Sequence, residues 1–163
     1  MKRSKQSTSR QIDSGDSVEV VFRAFLGTSG LLRTKMREYF GRFGISGAQW
    51  GILRVLHRAE TEGQGGVRLT DIGRRVLITP PSVTGAVNRL EKLGWVTRAS
   101  VADDQRAKHV TLTPQGRQLI ARVLQGHRAR VHAVMAGLSK QELHDMHALL
   151  KQLTKHLEAI QAE

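Results

Sequence analysis

Residues 79–112, TPPSVTGAVNRLEKLGWVTRASVADDQRAKHVTL, decide the fold. Pro80 suits the first position of a helix, where its missing N–H costs nothing, and Gly94 suits the end of one. From Trp95 to Val101 and from Lys108 to Leu112 the residues alternate as strands, joined by a charged tip that holds Asp103, Asp104, Gln105 and Arg106. Just upstream, Thr70 can cap a short helix from Asp71 to Val76 with Ile72 and Val76 inward, and Leu77, Ile78 and Thr79 form a tight turn. Two short helices joined by so few residues signal a helix-turn-helix. With a basic β-hairpin behind it the motif becomes winged, a geometry in which helix and wing enter neighbouring DNA grooves.

Outward from this stretch the chain reads as helix. Ser46-Gly47-Ala48-Gln49 is a capping box flanked by Ile45 and Trp50, so a helix is expected from Gly47 to Ala59, burying Ile52, Leu53 and Leu56. Residues 61–66 make a flexible loop. Before the box, Val18, Val21, Phe22, Phe25, Leu32, Met36, Tyr39 and Phe40 fall at mostly helical spacings, which predicts a long amphipathic helix from Asp16 to Arg42, weakened or bent at Gly27 and Gly30. After the hairpin, Thr113-Pro114 starts a helix carrying Leu119, Ile120, Val123, Leu124, Val131 and Val134. Ser139 to Glu142 is a second capping box, stapled by Leu138 and Leu143. The last helix places Leu143, Met146, Leu150, Leu153, Leu157 and Ile160 at alternating steps of three and four, the seam of a coiled coil or helical bundle. The expected fold is mainly α with a small β-hairpin wing. Residues 46–112 form the winged helix-turn-helix lobe, 17–45 and 113–163 a helical dimerisation region, and 1–16 a disordered basic tail. There are no internal repeats.

Composition narrows the partners. Twenty-six Lys and Arg against 14 Asp and Glu give 163 residues a formal charge of +12, which favours polyanions through counterion release. A merely basic soluble protein is the competing reading. The absence of cysteine excludes disulfides and thiolate metal sites and permits a reducing cytoplasm, the expected location. No apolar run approaches the ~18 residues of a membrane span, and the basic start has no apolar segment behind it, so neither a membrane partner nor a secretory signal is expected. Lys2, Arg3, Lys5 and Arg10 are available to touch phosphates or simply to keep the tail solvated.

The helix after Thr79 has two faces. Val83, Val87 and Leu90 form an apolar stripe, while Pro81, Thr84, Gly85 and Asn88 share another face with Ser82 and Arg89 beside it. Small polar residues at its N-terminal end let the first turns approach base edges. Ser and Thr bond phosphate or bases, Asn can pair with adenine, and the helix N-terminus favours a phosphate. An ordinary solvated face is the alternative. In the wing, Arg106 is placed to enter a narrow minor groove, Asp104 to pair with it or another Arg, and Arg98 and Lys108 to face phosphates. A charged turn that keeps a hairpin soluble is the alternative there.

The order of elements, together with RLEKLGWVTR (89–98), DDQR (103–106) and VTLTPQGR (110–117), resembles the multiple-antibiotic-resistance regulator (MarR) family over roughly Ser17 to Ala159. That resemblance implies a homodimer of winged helix-turn-helix subunits, joined by their terminal helices, with a small-molecule pocket between interface and DNA-binding lobe. It implies that Ser82, Thr84 and Asn88 meet bases or phosphates, and that Asp104 and Arg106 match the family's wing Asp-x-Arg. Gly85, where many members carry Arg, and Asn88, often Asp, depart from the pattern and bear on the operator sequence rather than the mode of binding.

Dimerisation also has a physical case, because neither terminal stripe can be buried inside one small lobe. Val18, Val21, Phe22, Leu143, Met146, Leu150, Leu153, Leu157 and Ile160 are the expected interface. Two-fold pairing presents two recognition helices to a pseudo-palindrome with half-sites about 10 bp apart. In similar proteins the region of Arg33, Arg37, Trp50, Arg54 and His57 lines the pocket, and a small anionic aromatic effector would lie between the arginines and the Trp ring. Solvent-facing arginines with a structural Trp50 are the other reading. His144, Asp145 and His147 suggest a metal by their spacing, but no further ligands are evident, so surface or interface histidines are preferred and no metal or cofactor is expected. No G-x-S-x-G, P-loop or H-E-x-x-H is present, so no enzyme is expected. The expected function is a sequence-specific DNA-binding regulator, a repressor released by an effector. The rivals are a sequence-blind architectural DNA-binding protein and a protein-interaction module.

Overall fold

The cap residues set where the chain turns, and in the computed structural model, which describes residues 17–101 and 104–160, they act largely as the sequence demands. Helix α1 spans Ser17–Gly41 and runs unbroken through Gly27 and Gly30. Helix α2, Gly47–Thr61, opens on a reciprocal capping box. The Ser46 hydroxyl accepts from the Gln49 N–H at 3.2 Å, while the Gln49 side chain accepts from the Ser46 N–H at 2.8 Å. The same exchange between Ser139 and Glu142, at 2.7 and 3.2 Å, starts α6, Lys140–Ala159. At the head of α5, Pro114–Met135, the Thr113 hydroxyl accepts from the Gly116 N–H at 3.0 Å and donates to the Gly94 carbonyl at 2.6 Å.

Between α2 and α5 lies the winged unit. A two-residue strand β1, Val67–Arg68, leads directly into α3, Leu69–Val76, and then into α4, Pro80–Lys92. Strands β2, Val96–Val101, and β3, Asp104–Leu112, form the hairpin. The sheet is antiparallel in the order β1-β3-β2, with Val67 opposite Val110 and Val96 opposite Leu112. Gly94 takes the left-handed conformation (φ 71°) that ends α4 and turns the chain into β2.

Three local expectations are corrected. Thr70 does not cap α3: the helix begins at Leu69, and its N-cap Arg68 makes no side-chain cap bond, because pairing of β1 with β3 delivers the chain already aligned. Strand β3 begins at Asp104 rather than Lys108, so Asp104 and Arg106 belong to a strand rather than to a tip. Beyond the Ser100–Lys108 pair the register shifts, and Val101 pairs with Asp104. This irregularity accommodates the extra β3 residues. Ile160 falls just past α6 as its C-cap, with extended backbone. The expected tail, residues 1–16, lies outside the described residues.

The core is assembled from every element of the winged unit. Ile52, Leu53, Ile72, Val83, Val87, Leu90, Val96 and Val110 are buried together with Leu119, Ile120 and Val123 of α5. Each such side chain stabilises the fold by roughly 1.5–3 kcal/mol relative to exposure. The arms differ. Helix α1 buries Tyr39 and Phe40 near its end, and α6 buries no residue within one chain.

Candidate nucleic-acid interface

Helix α4 presents its two faces as its sequence alternates them. Val83, Ala86, Val87 and Leu90 are buried, whereas Thr79, Pro81, Ser82, Thr84, Asn88 and Arg89 are exposed and Gly85 is half-buried. The helix is seated through close approach to α3. A Cβ on Gly73 would lie 3.2 Å from Val83 Cγ2, so glycine there lets the two helices touch. The intervening turn is closed by N–H donation from Leu77 and Ile78 to the Gly73 carbonyl. Leu77 takes a left-handed φ of 56°, the only non-glycine positive φ among the described residues, and is 88% exposed.

The polar groups on the exposed face are partly committed. The hydroxyls of Thr79 and Ser82 lie 2.9 Å apart and share a hydrogen bond. The Thr84 hydroxyl donates to the Pro80 carbonyl at 3.1 Å, leaving its lone pairs and methyl outward. Arg98 corrects the expectation that it faces phosphate. From β2 its guanidinium turns back onto α4, donating through Nη1 to Glu91 Oε2 and through Nη2 to Asn88 Oδ1 at 2.6 Å. The physical reason is local: a carboxylate and an amide oxygen offer it charge-assisted bonds where its side chain is 19% exposed. Gly85 has open space in front of it, since a Cβ there meets nothing within 4 Å.

Asp104, Arg106 and Lys108 all lie on β3 beyond the part of the sheet supported by β1. The side-chain pairing expected of Asp104 falls outside what is described. Arg74 and Arg75, not among the residues expected from sequence, are both exposed in the last turn of α3 just before the helix-turn-helix turn. Arg74 makes a surface ion pair with Asp71 at 3.6 Å, of a kind that contributes little to stability. A basic pair directly ahead of the turn is the signal that would have found them.

The five residues expected to line an effector pocket do not all line one cleft. Arg33 and Arg37 border a cleft of about 870 Å³ between α1, the start of α2 and the end of α3, floored by Met36, Phe40, Val76 and Ile78. Trp50 is 6% exposed and packs with Phe40 at 5.5 Å and His127 at 5.2 Å between ring centroids. Arg54 sits over the Trp50 ring at 5.7 Å. His57 lies on α2 three residues before Glu60, whose carboxyl is held below its ordinary range chiefly by the hydrogen bond from Arg117. His127 escaped the sequence reading because α1, α2 and α5 supply its neighbours from distant positions. Burial, and then the charge of Arg54, push its imidazole below the ordinary 6.5. Beside it the Tyr39 hydroxyl donates to the Val123 carbonyl at 2.5 Å, tying α1 to α5.

Known proteins share this fold. A family model described as MarR family matches residues 43–107. The HTH-type transcriptional regulator FarR of Neisseria gonorrhoeae is 31% identical over 129 residues, covering 79% of this chain and 85% of FarR. The HTH-type transcriptional repressor YetL of Bacillus subtilis is 29% identical over 135 residues, 83% of this chain and 78% of YetL. Among solved structures, a MarR family transcriptional regulator from Streptomyces coelicolor in complex with DNA superposes with a TM-score of 0.79. It shares 23% identity and covers 90% of this chain and 94% of that one.

Proposed function

Because this chain belongs to the MarR family of DNA-binding transcriptional regulators, we propose that it acts as a homodimeric repressor. It occupies a pseudo-palindromic operator and leaves it when a small anionic effector binds. The observation that carries this reading is α4, whose Val83, Val87 and Leu90 are wholly internal while Ser82, Thr84 and Asn88 stand in water on the opposite side. Burying one face fixes the helix, and the exposed small polar face then fits a major groove without a bulky side chain in the way. In this reading Thr79, Pro81, Ser82, Thr84, Gly85, Asn88 and Arg89 lie against DNA, and Asp104, Arg106 and Lys108 form the wing's contact. The similarity to YetL, a transcriptional repressor, and to the DNA-bound Streptomyces structure supports the assignment.

Dimerisation rests on the arms. Val18, Val21 and Phe22 on α1, with Leu150, Leu153 and Leu157 on α6, are exposed large apolar side chains in the single chain. A soluble protein covers such stripes, and a second copy covers both at once. Leu143 and Met146, half-buried, and Ile160 just past α6 continue the same surface. The effector site in this reading is the cleft bordered by Arg33 and Arg37, where two cations meet apolar walls between the arm and the recognition unit. A ligand wedged there changes the angle between them and so the separation of the two recognition helices. No catalytic step belongs to this function. Among the described residues no helix is long and apolar enough to cross a membrane, and a cytoplasmic location is part of the proposal.

The test is selection of duplexes from a random library by purified protein near 150 mM salt, followed by anisotropy on the selected site and a shuffled duplex. The expected result is a two-fold symmetric site bound at least ~10³-fold more tightly than the shuffled one. Equal, steeply salt-dependent binding to both would replace this reading with sequence-blind binding driven by the +12 charge.

A further inference from the structure

Arg98, Glu91 and Asn88 form a small triad at the base of the wing that bears on which base the recognition helix reads. Arg98 carries N–H donors and no acceptor, so the end of the Asn88 amide turned toward it must be the oxygen. That oxygen accepts from Arg98 Nη2 at 2.6 Å. The other arm of the guanidinium is occupied by Glu91 Oε2, which holds Arg98 against α4 and neutralises it. Asn88 therefore presents its NH2 group outward from an exposed position on the polar face of α4.

An asparagine that pairs with adenine uses both ends of its amide, the oxygen taking the N6 proton and the nitrogen donating to N7. Here the oxygen is engaged by a charge-assisted bond, of a class roughly twice as strong as a neutral one. The oxygen keeps a second lone pair, but its bond to Arg98 turns it toward the wing, and the end of the amide left for a base is the donor. Guanine shows two acceptors in the major groove, N7 and O6, whereas adenine sets its own N6 donor against the amide. Resting on the reading of α4 as the recognition helix, we propose that Arg98 is a specificity-determining positioning residue. By holding the Asn88 oxygen toward the wing it makes Asn88 read a base through its NH2 group, which selects guanine over adenine. The same pairing predicts that Arg98 itself releases no counterions from DNA, since its charge is already met by Glu91.

The experiment repeats the library selection with the unaltered protein, Asn88→Ala and Arg98→Met, the last keeping an unbranched apolar stem in place of the guanidinium. The position in each half-site that loses its preference in Asn88→Ala should read guanine in the unaltered protein, favoured over adenine by about 5- to 150-fold. Arg98→Met should shift that position toward adenine. With Glu91→Gln added, so that both charges of the pair are removed, it should also leave the slope of log K against log salt unchanged, where loss of a phosphate contact would reduce it by about 0.9. Adenine at that position in the unaltered protein, or no position altered by Asn88→Ala, overturns the proposal without any need for Arg98→Met to fold. An unchanged preference in a folded Arg98→Met, or a slope lowered by about 0.9 in the variant that lacks both charges, overturns it as well. Failure of the unaltered protein to select any site would instead overturn the functional reading on which it rests.

Discussion

Replacing Gly85 tests the helix and the surface it presents in one experiment. The residue lies in the interior of α4, where glycine costs about 0.8–1.0 kcal/mol relative to alanine through backbone entropy. A Cβ at this place meets nothing within 4 Å, so no overpacking offsets the gain. Gly85→Ala should therefore stabilise the protein by close to 1 kcal/mol, which for a chain of this size raises Tm by about 2–4 °C. Gly85→Arg should keep most of that gain, since arginine is nearly as good a helix former, and it adds a cation to the face assigned to DNA. If the new guanidinium reaches a phosphate, the slope of log K against log salt steepens by about 0.9, with tighter binding at low salt. Thermal unfolding followed by circular dichroism and anisotropy titrations at four salt concentrations read the two effects separately. A fall in Tm for Gly85→Ala would show that the face is not open. A stabilised Gly85→Arg with an unchanged salt slope would show that this face does not lie against a polyanion.

Three further outcomes follow from other contacts. In Gly116→Ala the new Cβ falls 2.0 Å from the Trp95 carbonyl oxygen, a backbone atom, so the start of α5 must move away from the wing. A loss of at least about 1–3 kcal/mol is expected in denaturant unfolding, and a neutral result would contradict the close approach. His127 has a folded pKa below its ordinary 6.5 because burial and the Arg54 charge disfavour the imidazolium. Its contribution to stability is thus complete above 6.5 and lost as pH falls through the lower folded value. Unfolding midpoints should drop on acidification from neutral pH, and His127→Phe should flatten that part of the profile; an unaltered slope would remove His127 as its source. Leu153, 41% exposed in the single chain, lies on the apolar seam of α6. Leu153→Asp should halve the mass measured by light scattering and weaken operator binding, whereas an intact dimer would move the interface elsewhere.

The parts of the fold that were legible in the sequence are those set by neighbours in the chain. Ser46 with Gln49, and Ser139 with Glu142, close their capping boxes using atoms three residues apart, so the pattern contains the whole interaction. Pro80 and Gly94 likewise mark the ends of α4 by what their own backbones can do. Strand β1 was not legible. Two residues carry no periodicity, and Val67–Arg68 becomes a strand through β3, which is remote in sequence. Because β1 feeds α3 directly, the start of that helix was misplaced with it. On the candidate interface, the division of α4 into apolar and polar faces was readable from spacing. The orientation of Arg98 was not, since Glu91 and Asn88 come into range only once the wing folds back on the helix. The Trp50–His127 contact is hidden for the same reason, its rings coming from α2 and α5.

The anchoring of α1 has a mechanical consequence. Its 25 residues make a rod about 37 Å long, rooted at Tyr39 and Phe40, while Val18 near the opposite tip is 76% exposed. Such a rod is a lever with its fulcrum beside the Tyr39–Val123 bond, about 30 Å from Val18. At that length a sideways displacement of about 1 Å at the tip corresponds to a tilt of roughly 2° at the root. Whatever grips the tip therefore sets the attitude of the lobe with fine gearing. Conversely, a small angular misfit of the lobe becomes ångströms of separation at the tip, enough to pull close-packed side chains out of contact.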